Sequence, residues 1–409
     1  MANTWLTPTM VTKRAIPLFL NSNALIKNID RQYSDQFAIS GAKIGTSLNI
    51  RLPSDFTVTS GAALAAQNIT QTSTPLTVTN QEHVDLNITS LELAMDLMEF
   101  EDLILKPAMN NLAAKVALDV STLFNSASNM AANTSGSGLS TTLNTPSTAT
   151  WAQAKALLIQ NSAPAGELLA VLDPISMARA QQTMQGLFNP TGRVSEMFDD
   201  GAVRGPAMGI AKWFEDQTVP SFTTGTASAL PTINGANQTG NTITVTPGTT
   251  NLNVGDIITL PGCYAVNRLT KGVLLNLQQF VVTAAYANGT TISVYPAVTP
   301  ISGSPNTVQF ATVSASPTSG SAIGVVLGSA QGYRKNMVLH PRSVTLATVD
   351  LPLFDKGVVD AARENFDGIS MRCLQTYYPQ TDQLIMRIDV LYGFAALRPE
   401  WMTIVPDIA

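Results

Sequence analysis

The sequence predicts an α+β fold into which an all-β barrel domain is inserted. Three observations predict it. After Pro107, Leu112, Val116, Val120 and Leu123 recur at helical spacing. Residues 370–377 and 383–392 read as two long strands joined by a short connection. Between about Phe222 and Ala330, short strands alternate with Gly, Pro and Asn turn signals, the pattern of a small barrel or sandwich.

Taken in order, residues 1–40 read as an arm. They hold short apolar runs, Pro8 and Pro17, no sustained period, and Lys13, Arg14, Lys27 and Arg31 against Asp30 and Asp35. Leu48, Ile50 and Leu52 then alternate with Asn49 and Arg51, and Val84, Leu86 and Ile88 alternate with Asp85, Asn87 and Thr89. Period two marks half-buried strands. Residues 53–80 between them are rich in Thr, Ser, Ala and Gly, so 41–90 reads as an extended β-arm that buries no core of its own. Glu92, Asp96, Glu99, Glu101 and Asp102 precede the main helix with no base before Lys106, a placement that suits a helix dipole.

Residues 125–148 form a neutral loop, and 151–160 a second helix with Trp151, Ala154, Leu158 and Ile159 on one face. Residues 167–172 read as a buried strand. Asp173-Pro174 is an N-cap with proline at the first helical position, opening a helix to Met184. Residues 186–209 are loop-rich. Strands follow at 242–246, 257–260, 280–284, 291–295 and 308–313, with an Asn288-Gly289 turn. Residues 337–339 and 344–346 are strand-like, 358–363 form a short helix or a loop, and the two long strands close the chain.

Of the 409 residues, 23 are Lys or Arg and 28 Asp or Glu, a formal net charge of −5. This balance holds no basic footprint for gripping nucleic acid. Charged residues make up 12%, against roughly 25% in an ordinary soluble domain. The 45% hydrophobic content excludes a disordered chain. Cys263 and Cys373 are too few for a disulfide scaffold. No apolar run approaches ~18 residues, so no membrane span is expected. The run after Lys13-Arg14 is too short and too Pro-broken for a secretory core, which implies a protein made inside a cell. Residues 121–154, 217–255 and 273–333 carry no charge, and across 217–333 only Asp256, Arg268 and Lys271 do. Such a neutral surface suits either packing against neighbours or an extracellular-type, hydroxyl-rich β-domain.

Catalytic material is sparse. His83 and His340 lie in no metal-ligand spacing, and no nucleophile elbow is present. Asp199-Asp200-Gly201 lacks the acid spacing of a calcium loop and reads as a solvated turn. Gly136-Ser137-Gly138 follows no strand and opens no helix, so it is no phosphate cradle. Gly393 and Arg398-Pro399 read as structural turns. No catalytic, cofactor-binding or metal-ligating residue is assigned, no cofactor is implied, and no enzyme is expected. The acidic stretch from Glu92 to Asp102 reads as a solvated helix face, or as a docking surface for a basic arm such as 13–31 of a neighbouring copy.

The order of arm, β-arm, long helix, α/β segment, inserted barrel and closing strands resembles the tailed-bacteriophage major capsid proteins of the Hong Kong 97-type fold. It is most similar to the podovirus-type branch with an inserted β-barrel. The run Leu112-Ala113-Ala114-Lys115-Val116-Ala117-Leu118-Asp119-Val120 resembles that family's spine helix. Val254-Gly255-Asp256-Ile257-Ile258-Thr259-Leu260 resembles a barrel strand after a Gly-Asp turn. Asn336-Met337-Val338-Leu339-His340-Pro341 looks like the return to the core, and Leu391-Tyr392-Gly393 through Arg398-Pro399-Glu400 like the closing segment.

The resemblance implies an N-terminal arm at 1–40, an extended loop at 41–90, a spine helix and peripheral domain at 91–149, and an axial domain beginning at 150–221. It implies a β-barrel at 222–330 and a return segment at 331–409. It further implies hexamers and pentamers of one chain in an icosahedral shell, assembled in the host cytoplasm with a scaffolding protein and a portal, enclosing double-stranded DNA. Subunit-contact candidates are Lys13, Arg14, Arg31, Glu92, Asp96, Glu99, Glu101, Asp102 and Arg398. Some relatives cross-link through a Lys on the extended loop, whereas 53–82 contain none. Some use a charged loop of the inserted domain, whereas 226–241 are uncharged. Other readings are a virion decoration or adhesion module built on the barrel, a hydrolase using His83 or His340, and a shell enclosing enzyme cargo.

Overall fold

The computed structural model describes residues 7–33, 47–59, 61–62, 64, 66–89, 101–184, 203, 206–301, 308–353, 360–378, 380 and 383–408. The chain divides into two compact units.

One unit is drawn from Met1–Arg51, Ser73–Ser121 and Val344–Leu397. Its antiparallel sheet runs in the order Ser47–Arg51, Ser73–Thr89, Gln383–Ala396, Ile369–Tyr378, Asp360–Phe366. Val344–Val349 pairs with the C-terminal end of Gln383–Ala396. That central strand has partners on both edges and buries Met386, Ile388, Val390 and Tyr392 at period two. Ser73–Thr89 starts well before Val84 because Leu76 and Val78 also alternate inward. Gly393, expected in a turn, lies inside the central strand. A Cβ there would fall 2.2 Å from the Thr77 carbonyl oxygen, so only glycine lets the neighbouring backbone come this close.

Two local readings in this unit differ from the structure for physical reasons. Residues 1–40, read as an arm with no sustained period, include the helices Pro8–Ser22 and Ala24–Asn28. Val11, Ala15, Ile16, Phe19 and Leu20 make a buried stripe against the helix Lys106–Ser121 and the strands at 360–378. Pro8 occupies the helix start, where its missing N–H is harmless, so it marks a beginning rather than a break. Residues 358–363, read as a short helix or loop, include the start of the strand Asp360–Phe366. Ala361, Ala362 and Glu364 favour helix locally. Pairing with Ile369–Tyr378 through a tight Asp367-Gly368 turn overrides them, with φ of 51° and 75° at the two turn residues.

The second unit comprises Leu52–Thr72, Thr122–Ser343 and Arg398–Ala409. One sheet runs in the order Asn129–Met130, Met402–Ile408, Gly332–Leu339, Leu169–Leu172, Lys212–Glu215. The helices Thr148–Gln160 and Pro174–Met184 cover it, and Trp151 meets Trp213 edge-on at 5.2 Å in their shared core. Ser147 and Thr150 form a reciprocal cap at the first helix, and Asp173 accepts from Ile175 N at the second. A second antiparallel sheet runs Thr232–Ile233, Gly240–Thr246, Thr291–Val298, Val273–Val282, Ile257–Val266, Gly324–Val325. Its core holds Ile243, Val245, Ile258, Phe280, Val282 and Val294. No strand forms over the described part of 308–313; Val313 makes only isolated bridges to Ala265 and Pro300.

Candidate functional site

Beyond Arg51, the described residues of 52–72 form no strand, and none of them is buried. Its own polar groups hold the loop together. Leu52 N donates to Thr72 O (2.8 Å), Ser54 Oγ to Thr70 O (2.8 Å) and Thr57 N to Gln67 Oε1 (2.9 Å). Phe56 and Ile69 are exposed, and Val58 and Leu64 almost fully so, at 97% and 95%. These four apolar side chains are thus left without cover within the unit.

The charged candidates fall into ion pairs. Lys13 Nζ lies 3.8 Å from Glu364 and Arg14 Nε 3.7 Å from Glu101. Arg31 is held more firmly, at 2.6 Å from Asp367 Oδ2 and donating to Ile26 O at 2.7 Å. Asp102 pairs with Lys106 at 3.4 Å. The basic segment and the acidic stretch therefore meet within one chain at Arg14–Glu101. Glu92, Asp96 and Glu99 lie outside the described residues, as do Asp199-Asp200-Gly201.

Arg398 belongs to a cluster around the buried Glu400 that sequence inspection missed. Arg268 Nη1 sits 2.6 Å from Glu400 Oε1, Arg398 Nη1 3.4 Å from the same oxygen, and the Tyr295 hydroxyl donates to Glu400 Oε2 at 2.8 Å. The Arg398 guanidinium lies 5.0 Å over the Trp401 ring, and Asp55 approaches Arg268 at 3.6 Å. Burial alone pushes the Glu400 carboxyl up; the Arg268 charge outweighs it and holds the group below its ordinary value. Burial, with the Glu400 carboxylate beside it, pushes the Tyr295 phenol up.

A second missed group centres on Lys335, which is fully buried. Its Nζ donates to Asn125 Oδ1 at 2.6 Å and lies 3.7 Å over the Phe222 ring. Burial pulls its amine down to about 7, against the opposing charge of Asp256. Asp256 Oδ2 accepts from Gly225 N (3.0 Å) and Asn253 N (2.7 Å), and burial pushes its carboxyl up. A signal for both groups was visible. In a stretch almost without charge, a retained charge is one with a specific partner. Asp256 and Arg268 fit that rule, and so does Lys271, which donates to Gln309 O at 2.6 Å.

Groups weighed for catalysis are placed structurally. His83 Nδ1 faces Asp85 at 3.1 Å on the surface. His340 is buried against Trp401 and accepts from Arg342 N at 3.2 Å, and burial pulls its imidazole down. Cys263 and Cys373 are buried free thiols, each pushed up to about 12 by burial. Among the described residues no cluster of three or more His, Cys, Asp or Glu is arranged to hold a metal, and no helix is long and apolar enough to cross a membrane.

Comparison with known proteins adds the family. No curated protein matches the chain. Among solved structures, a chain of Mycobacterium phage Che8 is similar at 10% identity and a TM-score of 0.43, covering 99% of this chain and 93% of that one. The capsid of Ralstonia phage GP4 is similar at 7% identity and a TM-score of 0.45, covering 91% and 86%. The CUS-3 coat protein I-domain is similar at 23% identity and a TM-score of 0.19, covering 26% of this chain and 98% of that one. The family model for the P22 coat protein, gene protein 5, matches residues 1–405. A match of that span takes in segments of both compact units, and the chain therefore belongs to the P22 coat protein family, the shell-forming coat proteins of icosahedral bacteriophage capsids.

Proposed function

We propose that this coat protein assembles by laying residues 52–72 over a neighbouring copy, within a shell of hexamers and pentamers that encloses double-stranded DNA. The observation that carries the reading is the exposure of Phe56, Val58, Leu64 and Ile69 on a segment that buries none of them. Each overlap is modest, and a closed shell sums many of them. In this reading 1–40 is the N-terminal arm, 41–90 the extended loop, 91–149 the spine and peripheral region, 150–221 and 331–409 the axial and return segments, and 222–330 an inserted β-barrel. The compact antiparallel sheet around Ile243, Ile258 and Phe280 supports the last assignment.

Lys13, Arg14, Arg31, Glu92, Asp96, Glu99, Glu101, Asp102 and Arg398 are the proposed contact residues. Those paired within one chain at 3.7–3.8 Å, Lys13 and Arg14, are held loosely enough to exchange partners between copies. A scaffolding protein, a portal and assembly in the host cytoplasm complete the proposal, and the acidic net charge of −5 suits DNA that is enclosed rather than gripped. Sedimentation and negative-stain microscopy of the full chain, with and without a scaffolding protein, test it. Closed shells or ring-like capsomers are the expected result, and a monomer under every condition overturns self-assembly.

A further inference from the structure

The segment that carries the second sheet leaves and rejoins the chain through a narrow set of cross-ties. Thr224 N donates to Gln331 O (3.0 Å), Gln331 N to Thr224 Oγ1 (2.8 Å), and Thr224 Oγ1 to Gly328 O (2.8 Å). Ala227 N donates to Ser329 Oγ (2.8 Å), and Ala330 N to Gly225 O (3.1 Å). Among these same residues lies a cavity of about 20 Å³, with Gly225, Ser329, Asp256 and Tyr333 in its wall. Two oxygens of that wall have no hydrogen-bond partner among the described residues: Asp256 Oδ1 and the Tyr333 hydroxyl. Both side chains are deeply buried, at 5% and 0% exposure.

The chemistry of the pair is specific. Asp256 Oδ2 is already engaged by the Gly225 and Asn253 amides, so Oδ1 is the oxygen that needs a donor. The Tyr333 hydroxyl needs an acceptor. A molecule that donates to the first and accepts from the second satisfies both. The volume admits about one water, and Leu252, Ile257 and Leu327 make part of the remaining wall apolar. The ammonium of Lys335 already attracts the Asp256 carboxylate, so a bound cation is not required for charge balance. We infer that Asp256 Oδ1 and the Tyr333 hydroxyl hold a single buried water at the root of the 222–330 segment. This water ties the departing chain at Gly225 to the returning chain at Tyr333.

Cryo-electron microscopy of the shell assembled from the full chain, at a resolution that shows ordered water, tests the site directly. The expected result is discrete density about 2.5–3.0 Å from both oxygens. No density, a direct Tyr333–Asp256 hydrogen bond, or the shorter contacts of a metal ion overturns the inference. Hydrogen exchange on the full chain supplies a second measurement. Tyr333→Phe is expected to lower protection of the Ala227, Ala330 and Gln331 amides by about tenfold. Adding Asp256→Asn is expected to lower it no further than the worse single change, because one water serves both groups. Unchanged exchange in Tyr333→Phe, or effects that simply add, overturns the shared water.

Discussion

Arg268 and Glu400, 132 residues apart, meet at 2.6 Å in a cluster around the buried Glu400 carboxylate that also takes in Tyr295 and Arg398. Removing the carboxylate charge leaves two partly exposed guanidinium groups without their buried partner. Glu400→Gln is therefore expected to destabilise the second unit by about 1.5–3 kcal/mol near neutral pH, in the range for losing a hydrogen bond to a charged group. Because the folded carboxyl titrates below its ordinary 4.5, its contribution is present above that value and disappears as pH falls through the folded one. Urea midpoints of wild type and variant should converge on acidification. A gap that persists in acid contradicts the assignment.

Lys335 predicts a slope of the same sign in a more alkaline window. The unfolded amine holds its proton up to about 10.5, whereas the folded one releases it near about 7. Between those values the unfolded state binds more protons, so stability rises with pH, by at most about 1.4 kcal/mol per pH unit. Denaturant titrations from pH 7 to 9 should show the rise in wild type, and Lys335→Met should flatten it.

The turn at Asp367-Gly368 offers a backbone test. Gly368 sits at φ 75°, where a side chain is strained. Gly368→Ala should cost the first unit about 1–2 kcal/mol. Asp367→Gly should cost less from the backbone while removing the Arg31 partner at 2.6 Å. Thermal melts of the two variants rank them.

Substitutions in the loop should separate folding from assembly. Val58→Asp with Leu64→Asp places charge where apolar groups are exposed, so subunit stability should stay within about 0.5 kcal/mol. Particle yield by sedimentation should fall several-fold. Wild-type yield from the double variant would refute overlap by this segment.

Mature particles should also give intact subunit mass on denaturing gels, because residues 53–82 offer no lysine for a covalent cross-link between copies. Ladders of higher mass would refute this.

Much of the fold was legible where one residue pattern dominates. Leu112, Val116 and Val120 placed the main helix, Asp173-Pro174 the start of another, and the alternation around Ile388 the central strand. Reading failed where tertiary pairing outweighs local preference. Ala361-Ala362 looks helical until Ile369–Tyr378 pairs beside it, and two prolines masked the buried stripe from Val11 to Leu20. The exposed loop at 52–72 was visible as sequence without a core pattern. In the Arg268–Glu400 and Lys335–Asp256 groups, Asp256 and Arg268 stood out as rare charges, but their partners did not, because those lie in distant segments that only the folded sheets bring together.

The central strand Gln383–Ala396 also sets a timetable for synthesis. Ser73–Thr89 finds its sheet partner only when the last part of the chain has been made, since Thr89 faces Gln383. At roughly 5–20 residues per second on a ribosome, that long strand waits about 15–60 s with one edge bare. The second unit is likewise completed late, when Met402–Ile408 joins Gly332–Leu339. A nascent chain of this protein thus carries unfinished sheet edges for as long as residues 383–408 are still to come, and its yield in a cell depends on what shields them until those residues emerge.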